Sequence, residues 1–411
     1  MHGTLAAVRS FLPCPDSRAG GRGANGVGVA RVLVIGGGIA GTAAALALHK
    51  AGFETAVHEA HPDAAEDIGA FLTLASNGMR ALAELEASAA VTAIGFPLTS
   101  LRVLDDTGAE RAHTPMGETS DPHLRYRCLR RGHLNTALQA EATRRGIPVR
   151  HGARLASVED GPGGVIAHFA DGTSATGDLL IGADGLNSAV RRSVSPGTRP
   201  FHAGQYVFYG YTRAASAPGP DASITMVRGS GAAFGYAVSP DGETYWFARV
   251  SGDPLPAEEL EQGTPADWRD RLLPLLREDA TPAADLVAAT GDDLMVTNAT
   301  EIPTGTPWRS GRILLVGDAA HAASPATGQG ASMALEDAVV LAKSLRDAPD
   351  TESALTLYEE LRRPRVEHNI TVSGNISRGI HTPSAASRPS DEDLARLLEW
   401  GTDLRAERHP H

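Results

Sequence analysis

The sequence predicts an α/β fold in which a parallel sheet is interleaved with a mainly antiparallel sheet and closed by a C-terminal helix. Three observations carry this. Short apolar runs empty into glycine-rich or acidic turns at three distant places: Val32-Leu33-Val34-Ile35, Leu179-Leu180-Ile181 and Ile313-Leu314-Leu315-Val316. Strand–turn–helix units of this kind are the building blocks of a parallel sheet. From Phe201 to about Glu301 the texture changes to alternating aromatic strands bounded by turn residues.

The first unit carries the fullest fingerprint, Gly36-Gly37-Gly38-Ile39-Ala40-Gly41. Gly36 permits the tight turn, Gly38 lets the backbone approach a pyrophosphate, and Gly41 lets helix and strand pack closely. Thr42 to Lys50 is alanine- and leucine-rich, so its helix offers free N–H groups and a positive dipole end to phosphate. Ala51-Gly52 closes that helix, and Phe53 to Val57 reads as the second strand. Glu59 follows at the roughly twenty-residue separation of a carboxylate that grips ribose hydroxyls. The unit is Rossmann-like and does not by itself separate FAD from NAD.

The second and third units are Gly182-Ala183-Asp184-Gly185-Leu186-Asn187-Ser188 and Gly317-Asp318-Ala319-Ala320-His321, the latter followed by Pro325-Ala326-Thr327-Gly328-Gln329-Gly330. These segments resemble the second and third signatures of the class A flavoprotein monooxygenases. Those are single-component aromatic hydroxylases sharing the p-hydroxybenzoate hydroxylase fold. Arg131-Gly132-His133-Leu134 resembles the family's Arg-x-Asp-Leu helix start, with His133 departing from the usual Asp. Tyr358-Glu359 with Arg362-Arg363-Pro364-Arg365 resembles its closing helix. The resemblance runs from about Arg31 to Arg365.

The resemblance implies a Rossmann-like FAD-binding domain of the glutathione reductase type, interleaved with a mainly antiparallel substrate domain. Its segments are a flexible arm (1–30), FAD-binding segments (31–95, 127–200 and 302–345), substrate-domain segments (96–126 and 201–301) and a C-terminal helical region (346–411). It implies FAD held by Gly36, Gly38, Ala40, Gly41, Glu59, Arg131, Asp184, Gly185, Asp318, Gly328, Gly330 and Ala331. No motif supplies a Cys or His for a flavin linkage, so the FAD is non-covalent. Asp318 at its strand end suits ribityl hydroxyls, and Gly328 and Gly330 remove side chains where the ring approaches the backbone. The helix from Ala331 to Leu345 turns its N-terminus toward the flavin, where it stabilises negative charge. Asp184 positions main-chain turns near the pyrophosphate, and Arg191 pairs with neighbouring acids or phosphate. His321 belongs to the motif's turn as a structural histidine. No second strand followed by a Gly-x-Gly-x-x-Gly turn exists to hold NAD(P)H as a separate domain, which implies a transient surface cleft for the reductant. The implied reaction has NAD(P)H reduce FAD, O2 add at flavin C4a, and the hydroperoxide hydroxylate a small aromatic or polycyclic substrate, in aromatic catabolism or natural-product tailoring.

Composition agrees. The chain has 411 residues, 42% hydrophobic and 21% charged, as expected of a globular protein with a large core. A formal charge of −12 argues against nucleic acid or anionic membrane as partner. No apolar run reaches the length of a transmembrane helix, and the patches Leu5 to Val8 and Phe11 to Pro13 are too short for a secretory signal. Cys14 and Cys128 fit a reduced cytoplasm and lack metal-ligand spacing, as do the histidines, so no metal site is expected. A Gly-x-Ser-x-Gly hydrolase elbow is missing.

No catalytic residue is singled out; the candidates are Tyr209, Tyr211, Tyr236 and Pro325. Tyr209 and Tyr211 share one strand face, Tyr236 and Trp246 lie on facing strands, and a tyrosine here could help deprotonate a phenol. Phe71-Leu72-Thr73-Leu74 and Pro325 match segments that border the family's active site. Trp268 to Leu276 reads as an amphipathic helix. Two alternatives stay open: a dehydrogenase, reductase or halogenase on the same scaffold, and a non-catalytic FAD-dependent ligand-binding protein. The wide separation of Trp246, Trp268, Trp308 and Trp400 argues against the halogenase.

Overall fold

The computed structural model describes residues 29–64, 69–117, 120–215, 217, 222–380 and 391–407. Most of the N-terminal arm, with Cys14, lies outside the described residues. The nucleotide-binding core begins with β1 (Arg31–Ile35), α1 (Ile39–Lys50) and β2 (Glu54–His58). β1 is buried from Val32 onward because strands lie on both of its sides in the sheet and other layers cover both faces, so an unbroken apolar run suits it. β3 (Phe71–Leu74), α2 (Ser76–Glu84), α3 (Ser88–Thr92) and β4 (Phe96–Leu98) lead to the hairpin β5 (Ser100–Asp105) and β6 (Glu110–Pro115). The chain returns through β7 (Tyr126–Arg130) into α4 (Arg131–Arg144) and β8 (Val149–Arg150). The meander β9 (Leu155–Gly161), β10 (Gly164–Phe169) and β11 (Ser174–Gly177) precedes β12 (Leu179–Gly182) and α5 (Ala189–Val194).

The aromatic stretch forms β13 (Phe201–Thr212), β14 (Ser223–Arg228), β15 (Ala233–Val238) and β16 (Thr244–Ser251). Ser239-Pro240-Asp241-Gly242 closes the β15–β16 hairpin, with Gly242 at φ +82° and its N–H donating to the Ser239 carbonyl at 2.9 Å. Then come α6 (Ala257–Gln262), α7 (Pro265–Leu272), α8 (Ala283–Ala288) and β17 (Leu294–Glu301). The expected helix from Trp268 to Leu276 starts and stops earlier. Thr264 and Asp267 form a capping box with Pro265 in the first turn, and Pro274 diverts the chain into a 3-10 turn. β18 (Arg309–Ser310), β19 (Ile313–Leu315), α9 (Asp318–His321), α10 (Gly330–Asp347), α11 (Thr351–Ser377), α12 (Asp391–Leu398) and α13 (Leu404–Glu407) complete the order.

Two sheets matter for the site. The first has order β18-β19-β12-β1-β2-β8 and is parallel throughout except at the β18 edge. The strands before all three motifs therefore lie side by side, and their turns emerge at the same edge. The second has order β17-β13-β16-β15-β14-β5-β6, with β5 joining β14 in parallel. Phe208, Phe234, Tyr236 and Trp246 fill one of its faces, against Trp268 and Leu272 of α7.

A buried charge network fixes α10. Arg362 of α11 donates to Glu336 at 2.5 Å and to Asp337 at 2.9 Å, and all three side chains are fully buried. Arg365 adds bonds to Glu336 at 2.8 and 2.9 Å, and Asn77 of α2 adds one at 2.6 Å. Asp337 also accepts from His321 at 2.5 Å and from the Gly317 N–H at 3.1 Å. Burial would push both carboxyls up, but Arg362 with Arg365 holds Glu336 below its ordinary range. His321 and Arg362 do the same for Asp337. Removing one partner of such a network leaves an uncompensated buried charge. Arg362→Met should therefore cost about 3–5 kcal/mol in urea unfolding. Both acids have depressed folded-state values, so this contribution is complete above about pH 5 and fades as the pH falls further. Wild-type and variant urea midpoints should accordingly converge in acid; a constant gap would assign the loss to packing instead.

Candidate active site

One cavity of about 1040 Å³ lies between the parallel sheet's motif turns and the free face of the antiparallel sheet. Its volume stands at the upper end for small-molecule pockets, as a dinucleotide with a substrate needs. Gly36, Gly38, Ala40, Glu59, Arg131, Asp184, Gly185, Asp318, Gly328, Gly330 and Ala331 all line it, together with Tyr209 and Pro325. Residues from three remote sequence regions thus meet in one chamber.

The glycines divide by what a side chain would meet. A Cβ on Gly36, at φ +105°, would sit 2.4 Å from the Ala183 carbonyl, and one on Gly41 would sit 1.9 Å from the Gly36 carbonyl. Gly41 lies beneath the turn and packs it rather than lining the cavity. A Cβ on Gly38, Gly185 or Gly330 would meet nothing within 4 Å. Those positions leave room for a ligand to reach the backbone.

Two long helices present bare N-termini to the same chamber. α1 starts after Gly38 and α10 after Gln329, neither with a side-chain cap. Thr264 and Asp350 cap α7 and α11 with their side chains, whereas the shorter α6 and α8 are also uncapped. Unsatisfied N–H groups with a positive dipole end favour anions. α4 is also uncapped by a side chain, in keeping with His133 where the family has Asp.

The acids divide similarly. The Glu59 carboxylate accepts from the Gly37 N–H at 2.5 Å and the His61 N–H at 2.6 Å, so it braces the first turn. Asp184 accepts from Ser188 Oγ at 2.5 Å and from the Ala189 and Val190 N–H groups at 2.6 and 3.1 Å, fixing the start of α5. Arg191 differs from expectation. It is buried and donates to the Ala319 and Leu186 carbonyls, which leaves it no reach toward a phosphate. His321 is buried against Asp337, a structural role.

The aromatic candidates separate by strand parity. Tyr209 faces the chamber, and burial pushes its hydroxyl up to about 12 against the opposing pull of Arg249 and Arg131. A hydroxyl held there stays protonated near neutral pH and is able to donate a hydrogen bond. Tyr211 lies beyond the chamber, packed edge-on to Phe71 and Tyr245 under the Arg130 guanidinium. Tyr236 pairs with Trp246 across the hairpin on the opposite face, so both are removed from the site. Phe71, Leu72 and Thr73 line the cavity. Cys128 is buried in the cluster of Phe71, Phe96 and Tyr211, and burial pushes its thiol up, so it is inert packing.

Sequence reasoning missed the rest of the sheet's inner wall: Leu101, Ile224, Met226, Phe247, Arg249, Met295 and Thr297. Phe247 and Arg249 share the face of Tyr209 through the β13–β16 pairing of strands distant in sequence, where Tyr209 pairs with Phe247 and Val207 with Arg249. No helix among the described residues is long and apolar enough to cross a membrane.

Comparison with known proteins agrees with this geometry. Residues 29–373 match the FAD binding domain family. The chain is 32% identical over 371 residues to aurachin C monooxygenase/isomerase of Stigmatella aurantiaca, covering 89% of this chain and 94% of that protein. It is 33% identical over 352 residues to an FAD-dependent urate hydroxylase of Klebsiella pneumoniae, covering 82% and 86%. The structure of Klebsiella pneumoniae HpxO complexed with FAD and uric acid superposes with a TM-score of 0.76 at 27% identity, over 92% of this chain and 95% of that one. Three motif turns converging on one chamber, under an aromatic sheet, are thus the site of a protein that belongs to the FAD binding domain family and is an FAD-dependent monooxygenase of the class A type.

Proposed function

We propose that this monooxygenase hydroxylates a small aromatic or polycyclic molecule, with the substrate lying between Tyr209 and the Pro325–Gly328 turn. The observation that carries this reading is the shared chamber: the motif turns form one wall and an aromatic, largely apolar sheet face forms the other. Gly38, with the bare start of α1, receives the pyrophosphate, Glu59 the adenosine ribose, and Asp318 the ribityl chain. The start of α10 at Gly330 and Ala331 receives the electron-rich edge of the ring. FAD held there would supply hydride acceptance from NAD(P)H and activation of O2 for transfer to the substrate.

The protein's own residues orient and shield. Phe71 and Phe247, with ring centroids 6.2 Å apart, keep water from the chamber, which protects a reactive oxygen donor from decay. Tyr209 donates a hydrogen bond to an oxygen of the substrate and holds its ring in register.

Gly38→Val should weaken FAD binding by about 2 kcal/mol or more, while the FAD-free protein unfolds within about 0.5 kcal/mol of wild type. Gly41→Ala should instead destabilise the fold by about 1–3 kcal/mol. Equal behaviour of the two variants in FAD titration and urea unfolding would dissolve the distinction between ligand-facing and packing glycines. Glu59→Ala should weaken FAD by about 1.5–3 kcal/mol.

Tyr209→Phe should lower kcat/KM by about three- to tenfold, the worth of one hydrogen bond. The shape of the pH profile should not change between about pH 7 and 10, because a hydroxyl held near 12 does not titrate there. A basic limb that disappears in the variant would make Tyr209 a titrating base after all.

Reaction under heavy-isotope O2 with NAD(P)H should put label from the gas into the product. Product that forms equally well without oxygen, given an artificial electron acceptor, would make the enzyme a dehydrogenase on this scaffold.

A further inference from the structure

Arg249 is a cation with unmet bonding capacity inside the chamber. It projects from β16, beside Val207 of β13 and Ala233 of β15. Its Nε is buried without an acceptor, and one guanidinium nitrogen makes a long 3.4 Å contact to the Ala326 carbonyl. No carboxylate among the described residues pairs with it. The fully buried Arg362 has two carboxylates, and the buried Arg191 has two backbone carbonyls. Arg249 is half-buried, with the Phe247 ring 5.8 Å from its guanidinium; a guanidinium partly withdrawn from water without a counter-charge is unfavourable, and this one opens onto a cavity.

The same wall becomes apolar away from Arg249. Across β15, β14 and β5 it is made by Gly235, Met226, Ile224 and Leu101, and Met116 and Tyr126 line the chamber beyond. Three strand spacings of about 4.8 Å separate β16 from β5, roughly 14 Å in all. No charged side chain stands among these residues. Methionine walls adapt to irregular apolar shapes.

We propose that the substrate is two-ended: an aromatic carrying an acidic group, carboxylate or acidic phenol, which Arg249 holds, and an apolar substituent that runs over Met226 and Ile224 toward Leu101. The proposal rests on the monooxygenase reading and makes Arg249 the specificity-determining residue.

The test is ligand binding to the oxidised FAD-loaded protein, followed by perturbation of the flavin spectrum with no reductant present. The probes are salicylate, 6-heptylsalicylate and the methyl ester of 6-heptylsalicylate. The heptyl acid should bind about tenfold or more tighter than salicylate, and the acid should exceed its ester by about tenfold to a hundredfold. Arg249→Gln should reduce the acid-to-ester ratio to less than about twofold while FAD content stays full; Arg249→Lys should restore part of it. Met226→Gln should diminish the heptyl gain and leave the acid-to-ester ratio in place.

An unchanged ratio in Arg249→Gln overturns the proposal. So does loss of FAD from Arg249→Gln and Arg249→Lys alike, which would assign the cation to the cofactor. Failure of every probe to bind wild-type protein also overturns it, and flavin reduction by NAD(P)H in that same preparation would leave the monooxygenase reading standing.

Discussion

Everything at the active site depends on one buried guanidinium. Arg362 sits between Glu336 and Asp337 with no exposure to solvent. Such a network is poor evidence of net stability, because desolvation offsets much of the attraction. Its value here is positional. Asp337 also holds the Gly317 N–H and His321, and Glu336 holds Asn77 and Arg365. The third motif turn, the first turns of α10, the start of α2 and the long helix α11 are therefore locked into one arrangement. Gly317, at φ +57°, approaches Ala40 so closely that a Cβ would lie 2.6 Å away, which brings α1 into the same unit. Two bare helix N-termini are thereby held facing one cavity.

This arrangement explains how a protein of formal charge −12 offers a site for an anionic cofactor. The acids on the cavity wall are largely committed: Glu59 and Asp184 accept backbone N–H groups of their own turns. The cavity's arginines, Arg131, Arg154, Arg192 and Arg249, have no ion pair among the described residues. Elsewhere on the molecule arginines are commonly paired, as Arg309 is with Glu352 and Arg312 with Asp160. Local commitment of each charge, rather than the total, sets the field an anion meets.

How much of this was legible in the sequence depends on the range of the interaction. The parallel sheet and its turns were legible because a glycine fingerprint records local constraints: a positive φ at Gly36 and a close approach at Gly41. The lining of the nucleotide half could be named residue by residue for the same reason. The Arg362 network could not, since His321 and Arg365 lie 44 positions apart and Asn77 is farther still, and nothing local marks a charge as buried. Arg191 illustrates the converse: a motif arginine reads as a partner for neighbouring acids or phosphate until its two carbonyl acceptors are seen.

The chamber's antiparallel wall failed to be legible for a different reason, which lies in two glycines of that sheet, Gly210 and Gly235. Aromatic residues crowd this sheet, and composition alone gives each an equal claim on the pocket. Their distribution is decided by where a neighbouring strand lacks a side chain. Gly210 leaves space for Trp246, whose ring a Cβ would meet at 2.3 Å, and Gly235 leaves space for Phe247, at 2.5 Å. The register places the Gly210–Trp246 pair on one face and the Gly235–Phe247 pair on the other. Trp246 therefore lies flat within the apolar layer against α7, taking Tyr236 and Phe234 with it, while Phe247 lies flat on the chamber wall. Phe247, seated over Gly235, lies on the wall between Arg249 and Met226, and the cavity lining runs past it to Ile224 and Leu101. The two glycines thus set which aromatics pack the core and which line the chamber.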